Sequence, residues 1–316
     1  MRVDIHAHAF PAAYVDALAT AGQPGAAFVR SLAAGDAPAE LDRRLATMDA
    51  AGVDVQVLSP SSVMPSLGDA AAASAAALLL NDSYGAISGA RPDRFASFAV
   101  VPLPHVEAAL ASLDDALARP GVVGLAVTTS VGGSPIADAR FEPLLAELDR
   151  RSAVIFIHPA GTAGGSSLVE ALGLTWALGA PIEDTISVTA LLARGIPTRY
   201  PNLRIVNAHL GGALPMLLRR LDSQFPRVAP DAPEPPSVAA RRMWYDTVSE
   251  AHPAALTAAR MAYGADRLLL GTDYPFVRGD EYRAAVDYVA AGAPNPAESS
   301  AILDRNGAGL LGLGGR

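Results

Sequence analysis

The sequence predicts one (β/α)8 barrel domain spanning residues 1–316, on three observations. The chain length of 316 residues suits such barrels, which take about 250 residues, or more with insertions. Strand-like and helix-like runs alternate along the chain, giving eight β/α units. Most strand-like runs are continuously apolar, as expected for parallel strands that are buried on both faces. Periodicity alone leaves an open, doubly wound sheet as the alternative.

The predicted elements follow one another in β/α order. The predicted strands are Val3–Ile5, Val53–Leu58, Phe95–Val100, Val122–Val127, Ala153–Ile157, Leu203–Ala208, Met243–Asp246 and Leu268–Thr272. The predicted helices are Ala39–Ala51, Ala70–Ala90, Val106–Arg119, Phe141–Arg151, Ile186–Arg199, Ala213–Gln224, Pro253–Tyr263, Glu281–Ala291 and Pro296–Leu303.

Three segments interrupt this alternation. The first two, residues 11–38 and 160–184, follow the predicted carboxyl ends of strands, which form the catalytic face of a barrel. We therefore expect both segments to cover a substrate pocket. The third, residues 226–236, is rich in proline and predicts a stiff, extended surface connection.

Composition excludes several functional classes. Cysteine is absent, which rules out disulfides and thiolate ligands, and all 24 basic residues are arginine. Without lysine, neither a Schiff base nor a metal-bridging carboxylated lysine is possible, and a mononuclear metal site is favoured. A net charge of −8 without a basic patch argues against a nucleic-acid partner. With no leader-like start and no apolar run of membrane-spanning length, we expect a soluble, cytoplasmic protein that does not bind membranes.

The sequence predicts a metal site at the strand ends. His6 and His8 are two residues apart after a short apolar strand, so both side chains point to the same face. His158 and Asp273 each end another predicted strand. Because these ends converge on one mouth of a barrel, the four side chains together offer three nitrogens and one carboxylate. That set suits zinc, which we expect, and also manganese, iron or cobalt.

His209 ends the sixth predicted strand and is followed by Gly211 and Gly212, which leave room for a ligand. A neutral histidine beside a metal site has a pKa suited to moving protons at neutral pH. We predict that His209 is the catalytic acid or base, with a fifth ligand or a buried structural histidine as alternatives. Asp246, at the end of the seventh strand, is predicted to support a metal ligand.

Arg30 and Arg278 are candidates to bind a substrate carboxylate, because guanidinium groups bind carboxylates bidentately. Solvated arginines with no such role are the alternative. His105 is expected to begin a helix or lie in a loop. His252 also begins a predicted helix, from which it could approach the barrel mouth.

Seven motifs carry a resemblance that extends over nearly the whole chain. They are Asp4–His8, Met48–Ser59, Ile157–Pro159, Asn207–Gly212, Tyr245–Asp246, Gly271–Phe276 and Asn306–Leu313. Their order resembles the amidohydrolase superfamily, and within it the branch of metal-dependent, non-oxidative decarboxylases. The α-amino-β-carboxymuconate-ε-semialdehyde decarboxylases are more similar than the γ-resorcylate decarboxylases. The resemblance implies metal ligation by His6, His8, His158 and Asp273, and acid–base chemistry by His209.

Two departures from the muconate-semialdehyde decarboxylases predict a different substrate pocket. The arginine-bearing stretch after the first strand is missing, and Phe28–Arg30 is only a loose counterpart. Ala160, followed by Gly161, stands where those enzymes have a bulky residue, which makes Ala160 a candidate lining residue.

The leading hypothesis is therefore a metal-dependent decarboxylase of an aromatic or unsaturated carboxylic acid, in which His209 or Asp273 delivers the proton. The alternative is a metal-dependent hydrolase of a cyclic amide, lactone or ester. An arginine clamp for a carboxylate would favour decarboxylation, and a pocket without one would favour hydrolysis. The third hypothesis is a metal-binding protein without catalytic activity. The expected partner is a small-molecule carboxylate, and the resemblance implies a homodimer.

Overall fold

The computed structural model describes residues 1–314 and shows eight parallel strands in one sheet. We number them β1 (Val3–His8), β2 (Val55–Ser59), β3 (Phe95–Ala99), β4 (Val122–Thr128), β5 (Val154–His158), β6 (Arg204–Asn207), β7 (Trp244–Asp246) and β8 (Leu268–Leu269). Each strand pairs with the next in chain order. The predicted (β/α)8 barrel is confirmed.

The residues after β8 close the barrel against β1. The amide of Ile5 donates to Leu270 O at 2.9 Å, and the amide of His8 donates to Tyr274 O at 2.6 Å. The amide of Asp273 donates to His6 O at 2.8 Å. Closure therefore brings the first strand and the residues that follow the last one side by side.

Helices surround the strands. They are α1 (Ala12–Thr20), α2 (Ala26–Ser31), α3 (Pro38–Ala51), α4 (Ala70–Ala90), α5 (Val106–Leu117), α6 (Glu142–Arg150), α7 (Ser167–Ala171), α8 (Ala180–Ala193), α9 (Ile196–Arg199), α10 (Leu214–Val228), α11 (Pro236–Ala239), α12 (Pro253–Tyr263), α13 (Gly279–Gly292), α14 (Pro296–Ser300) and α15 (Asn306–Leu310). π-Helical turns occupy Thr175–Gly179 and Ala301–Arg305. Within residues 1–314, no helix combines the length and apolarity needed to span a membrane.

Three predicted elements near the site are wrong in their bounds. The predicted strand Leu268–Thr272 ends at Leu269. The first strand continues to His8, so the two histidines lie within β1 and not beyond it. The predicted helix Ile186–Arg199 is two helices, because α8 begins at Ala180 and ends at Ala193, before Gly195 takes a left-handed φ of 63°.

The interrupting segments contain structure that the patterns did not indicate. Residues 11–38 form α1 and α2, and residues 160–184 contain α7 and the start of α8. Residues 226–228 are helical and not extended, since Pro226 lies in the last turn of α10 and that helix ends two residues later. A short antiparallel hairpin, Ser130–Val131 with Ser134–Pro135, follows β4.

An aromatic pair fills the barrel interior beside the site. Phe98 of β3 stacks on Phe156 of β5, with ring centroids 5.2 Å apart and planes inclined by 16°. Phe156 in turn meets the ring of His6 edge-on at 5.1 Å. The His6 ring therefore packs against the apolar core of the barrel.

Candidate metal centre and active site

Four side chains from β1, β5 and the turn after β8 converge at the barrel mouth. One ligand atom from each of His6, His8, His158 and Asp273 lies within 4.8 Å of the other three. The Nε2 atoms of His6 and His8 are 3.1 Å apart, and Asp273 Oδ1 lies 3.3 Å from the first and 2.9 Å from the second. All three imidazoles are buried.

Each histidine also has a contact at Nδ1, on the side of the ring away from the cluster. The partners are Asp246 Oδ2 at 2.6 Å from His6, Ser59 Oγ at 3.0 Å from His8, and Pro159 O at 2.9 Å from His158. A carboxylate and a carbonyl only accept hydrogen bonds, so His6 and His158 donate through Nδ1. In their neutral forms, both rings therefore turn an Nε2 lone pair toward the cluster.

This arrangement fits a divalent cation. Lone pairs from imidazoles and a carboxylate oxygen would repel one another at these distances unless positive charge lay between them. Three nitrogens and one carboxylate are a donor set that Zn²⁺ accepts, and the outer hydrogen bonds fix the rings in the ligating orientation.

The pKa shifts of His8, His158 and Asp273 agree with this donor set. Burial lowers the pKa of His8 to about 4 and that of His158 well below its usual range, which favours neutral rings. Burial raises the pKa of Asp273, but hydrogen bonds and charge from His6 and His8 outweigh it and keep this carboxyl ionised. His6 differs: burial lowers its pKa, yet Asp246 and Asp273 outweigh this effect and raise the pKa to about 10. This ring therefore carries a second proton at neutral pH, which a bound cation would have to displace.

His209 lies beside the cluster in a tight turn after β6. The backbone of His209 and Leu210 is left-handed, with φ of 50° and 56°. The amide of His209 donates to Asp246 Oδ1 at 2.9 Å, so Asp246 contacts both His6 and this turn. The ring centroid of His209 is 5.1 Å from that of His6 and 5.5 Å from that of His158.

Asp184 of α8 is the carboxylate partner of the His209 ring. Its Oδ2 lies 2.8 Å from His209 Nδ1, and Asp184 is almost fully buried. Burial raises the pKa of Asp184 to about 6. Burial lowers the pKa of His209, but the charge and hydrogen bond of Asp184 outweigh this effect and leave that pKa raised.

Sequence patterns did not indicate Asp184 or its neighbour Glu183. Glu183 is buried, and it accepts hydrogen bonds from the amides of Ala160 at 2.7 Å and Thr162 at 2.5 Å. The sequence signal that could have indicated them is an acidic pair, Glu183 and Asp184, next to an otherwise apolar predicted helix. Because the predicted helix began at Ile186, both residues fell in the preceding segment.

A cavity of about 1330 Å³ opens above the cluster. His158, His209 and Asp273 lie in its wall, and Ala160, the candidate lining residue, does too. The rest of the wall is mostly apolar and includes Phe28, Val63, Trp176, Leu210, Met216 and Phe276. Its further polar residues include Gln23, Ser62, Ser249, Glu250 and His252. The cavity can therefore hold an apolar molecule with one polar end at the cluster.

The structure brings neither candidate arginine to this cavity. Arg30 is half-exposed and pairs with Asp16 at 2.5 Å. Arg278 donates to the carbonyl oxygens of Pro275 and Leu32. None of the arginines within residues 1–314 lines the cavity. His105 precedes α5, and its Nε2 lies 2.9 Å from Leu67 O.

Comparison with known protein families identifies the family of this chain. The model of the amidohydrolase family matches residues 3–313, which is nearly the whole chain. The chain belongs to the amidohydrolase family. The predicted superfamily is therefore confirmed.

Relatives of this amidohydrolase have decarboxylase names. It is 28% identical over 247 residues to the 2-amino-3-carboxymuconate-6-semialdehyde decarboxylase of Dictyostelium discoideum, covering 76% of this chain and 67% of the relative. It is 30% identical over 287 residues to the 6-methylsalicylic acid decarboxylase of Penicillium expansum, covering 87% and 85%. The crystal structure of 2,6-dihydroxybenzoate decarboxylase from Rhizobium superposes with a TM-score of 0.82 at 25% identity, covering 99% and 98%.

Proposed function

We propose that this amidohydrolase is a metal-dependent, non-oxidative decarboxylase of an aromatic carboxylic acid. The proposal rests on the convergence of His6, His8, His158 and Asp273 beside His209 at the base of one apolar cavity. The decarboxylase names of its relatives support the choice of reaction. Zn²⁺ is the proposed ion, held by those four side chains; when bound, it would supply positive charge that orients the substrate carboxylate or a neighbouring oxygen.

The chain's own residues would position the acid and move one proton. The apolar wall, including Phe276 and Trp176, binds the ring and excludes water from it. His209, as an imidazolium, transfers a proton from Nε2 to the ring carbon that bears the carboxylate. The bond to the carboxylate then breaks, its electron pair returns to the ring, and CO2 leaves. A proton from solvent restores His209. Asp273 also lines the cavity, but its lowered pKa keeps the carboxyl ionised, so His209 is the proposed proton donor.

Hydrolysis of a cyclic amide, lactone or ester is the second candidate. It is favoured by one observation, the absence of an arginine from the cavity wall within residues 1–314. A cyclic amide or lactone has no carboxylate, so it would bind to a wall without arginine. His209 would then act as the general base for the attacking water. The proposed ligands serve both reactions, so only the products separate them.

A product-mass screen tests the proposal. Metal-free protein would be loaded separately with Zn²⁺ or Mn²⁺ and offered aromatic acids, enoic acids, lactones and cyclic amides. We expect loss of CO2 from an aromatic acid, with His209→Gln protein as the blank. Gain of water by a lactone or amide, with no acid decarboxylated, would instead establish the hydrolase. Higher turnover with Mn²⁺ than with Zn²⁺ would contradict the choice of zinc.

We also propose that the protein forms a homodimer. Leu168 and Leu172 of α7 are 75% and 70% exposed, and the neighbouring Trp176 is 52% exposed. Exposed apolar side chains grouped in this way are typical of protein interfaces. Light scattering after size-exclusion chromatography should give twice the mass of the 32.4 kDa chain, and a monomeric mass would refute the dimer.

A further inference from the structure

Asp184 is held against His209 by contacts other than its own hydrogen bond. The side chain of Thr185, the next residue in α8, accepts a hydrogen bond from the amide of Ala213 at 2.8 Å. In the same turn, a Cβ placed on Gly212 would lie 2.1 Å from Pro181 O, which shows how closely the turn meets the start of α8. The backbone therefore fixes α8 and the His209 turn relative to each other.

Burial of the Asp184 carboxylate costs free energy. Its hydrogen bond is to His209 Nδ1, and its burial removes water from the carboxylate oxygens. A buried carboxylate with so few partners contributes little to stability, because desolvation offsets most of the attraction. Buried charge of this kind beside a cavity is typical of functional sites.

The contact with Asp184 also determines which nitrogen of the His209 ring can exchange a proton with a substrate. A carboxylate accepts at Nδ1, so Nδ1 carries a proton and Nε2 is left to exchange one. Asp246 holds the backbone of the same residue through its amide at 2.9 Å. His209 is thus held at its backbone by one carboxylate and at its ring by another.

We propose that Asp184 is a positioning residue, which holds the Nδ1 side of His209 so that Nε2 faces the cavity and exchanges the proton with the substrate. This inference rests on the proposed acid–base role of His209. It adds a residue from a helix, one that contacts the ring of His209 and is absent from the cavity wall.

The kinetic test uses two variants of α8 in the full-length, metal-loaded enzyme. Asp184→Asn keeps the shape of the side chain and removes its charge. Ser187→Ala is the matched control, because Ser187 is buried in the same helix and its hydroxyl has no hydrogen-bond partner. For Asp184→Asn we expect a loss in kcat of about 100-fold or more, with KM within about threefold and metal content unchanged. Ser187→Ala should match the unaltered enzyme.

A merely structural role would give a different result. It would lower the melting temperature and the metal content, and it would leave the kcat of the folded, metal-loaded fraction near that of the control. A kcat within about threefold of the control, measured per bound metal, would overturn the proposal.

Nuclear magnetic resonance supplies a readout that needs no turnover. Long-range ¹H–¹⁵N spectra of the unaltered, Zn²⁺-loaded protein identify which nitrogen of the neutral His209 ring carries the proton. We expect the proton on Nδ1, and a proton on Nε2 would overturn the proposal. If the tautomer is as expected but no acid loses CO2, the positioning role stands and the proposed decarboxylation fails. The two failures are therefore distinguishable.

Discussion

At the residue scale, the proposed metal ligands and the proposed proton donor are held by different partners. The three histidines and Asp273 bring their ligand atoms within 4.8 Å of one another, whereas His209 has its Nδ1 bound to Asp184 and its ring in the cavity wall. Asp246 contacts both parts, through His6 Nδ1 and the amide of His209. Substitutions in the two parts should therefore affect different measurements.

Substitution of His209 by glutamine should abolish most of the turnover and spare the metal. General acid–base catalysis by one side chain contributes about 10²- to 10⁴-fold, so we expect kcat to fall within that range. Metal content, measured by plasma mass spectrometry, should stay at that of the unaltered protein. His105→Gln is the matched control, since His105 lies outside the cavity wall. Full activity of His209→Gln with bound metal would refute the acid–base role.

Substitution of Asp246 by asparagine should weaken metal binding. The carboxylate accepts from His6 Nδ1 at 2.6 Å and so orients that ligand. Loss of such an outer partner typically costs about 10- to 100-fold in metal affinity, and we expect that increase in Kd from competition with a chelator. Asp287→Asn, at an exposed position of α13, is the control. An unchanged Kd for Asp246→Asn would show that Asp246 does not support the ligand.

The residues of the site differ in how far the sequence predicts them. His6 and His8 follow from strand alternation, and His158 and Asp273 follow from their places beside apolar runs. Asp184 could not be found in this way, because its partner is 25 positions further along the chain and only the packing of α8 brings them together. Arg30 matched a chemical role, but its side chain pairs with Asp16 instead.

At the element scale, local signals set some boundaries and long-range bonds set others. The bounds of α4 and α12 match the predicted ones; Asp69 caps α4 by accepting from the amide of Ala72, and Pro253 begins α12. The segment after β5 has no such local signal. Its path is fixed by Glu183, which is about twenty residues further along the chain and accepts hydrogen bonds from the amides of Ala160 and Thr162.

The contact between α8 and the His209 turn can be tested by adding one carbon atom. Gly212→Ala would place a Cβ 2.1 Å from Pro181 O at a positive φ of 65°. We expect a loss of about 3 kcal/mol in the free energy of unfolding, because backbone strain and overpacking both contribute. Gly133→Ala is the control, as its φ is 77° but nothing lies within 4 Å, and about 1 kcal/mol is expected there. Equal losses in urea unfolding would refute the close contact.

At the scale of the whole molecule, a buried polar network beneath the site joins β1 to β2 and to the residues that follow β8. Asp4 accepts from the amide of Thr272 at 3.0 Å and from Gln56 at 2.9 Å. Arg44, also buried, donates to Gln56 at 2.8 Å and to His8 O at 2.6 Å. The proposed ligands sit directly above this closure, so a bound cation would reinforce it.

Removal of the metal should therefore destabilise the entire barrel. A ligand present at about 1,000 times its Kd stabilises the folded state by about 4 kcal/mol, so chelation should lower the melting temperature by several degrees. Calorimetry of chelated protein, before and after addition of Zn²⁺, measures the shift. His8→Ala protein is the control and should show no response to either treatment. An unaltered protein that also shows no response would argue against metal binding by the cluster.

Closure between β1 and the turn after β8 also has a consequence for biosynthesis. His8 and Asp273 are 265 positions apart, so a ribosome adding about 5–20 residues each second makes Asp273 roughly 15–50 s after His8. During that interval, the nascent chain carries first two and, once His158 has been made, all three histidines of the cluster without the carboxylate. A complete set of the proposed ligands, and with it any catalysis that depends on a bound metal, becomes possible only after Asp273 has been made.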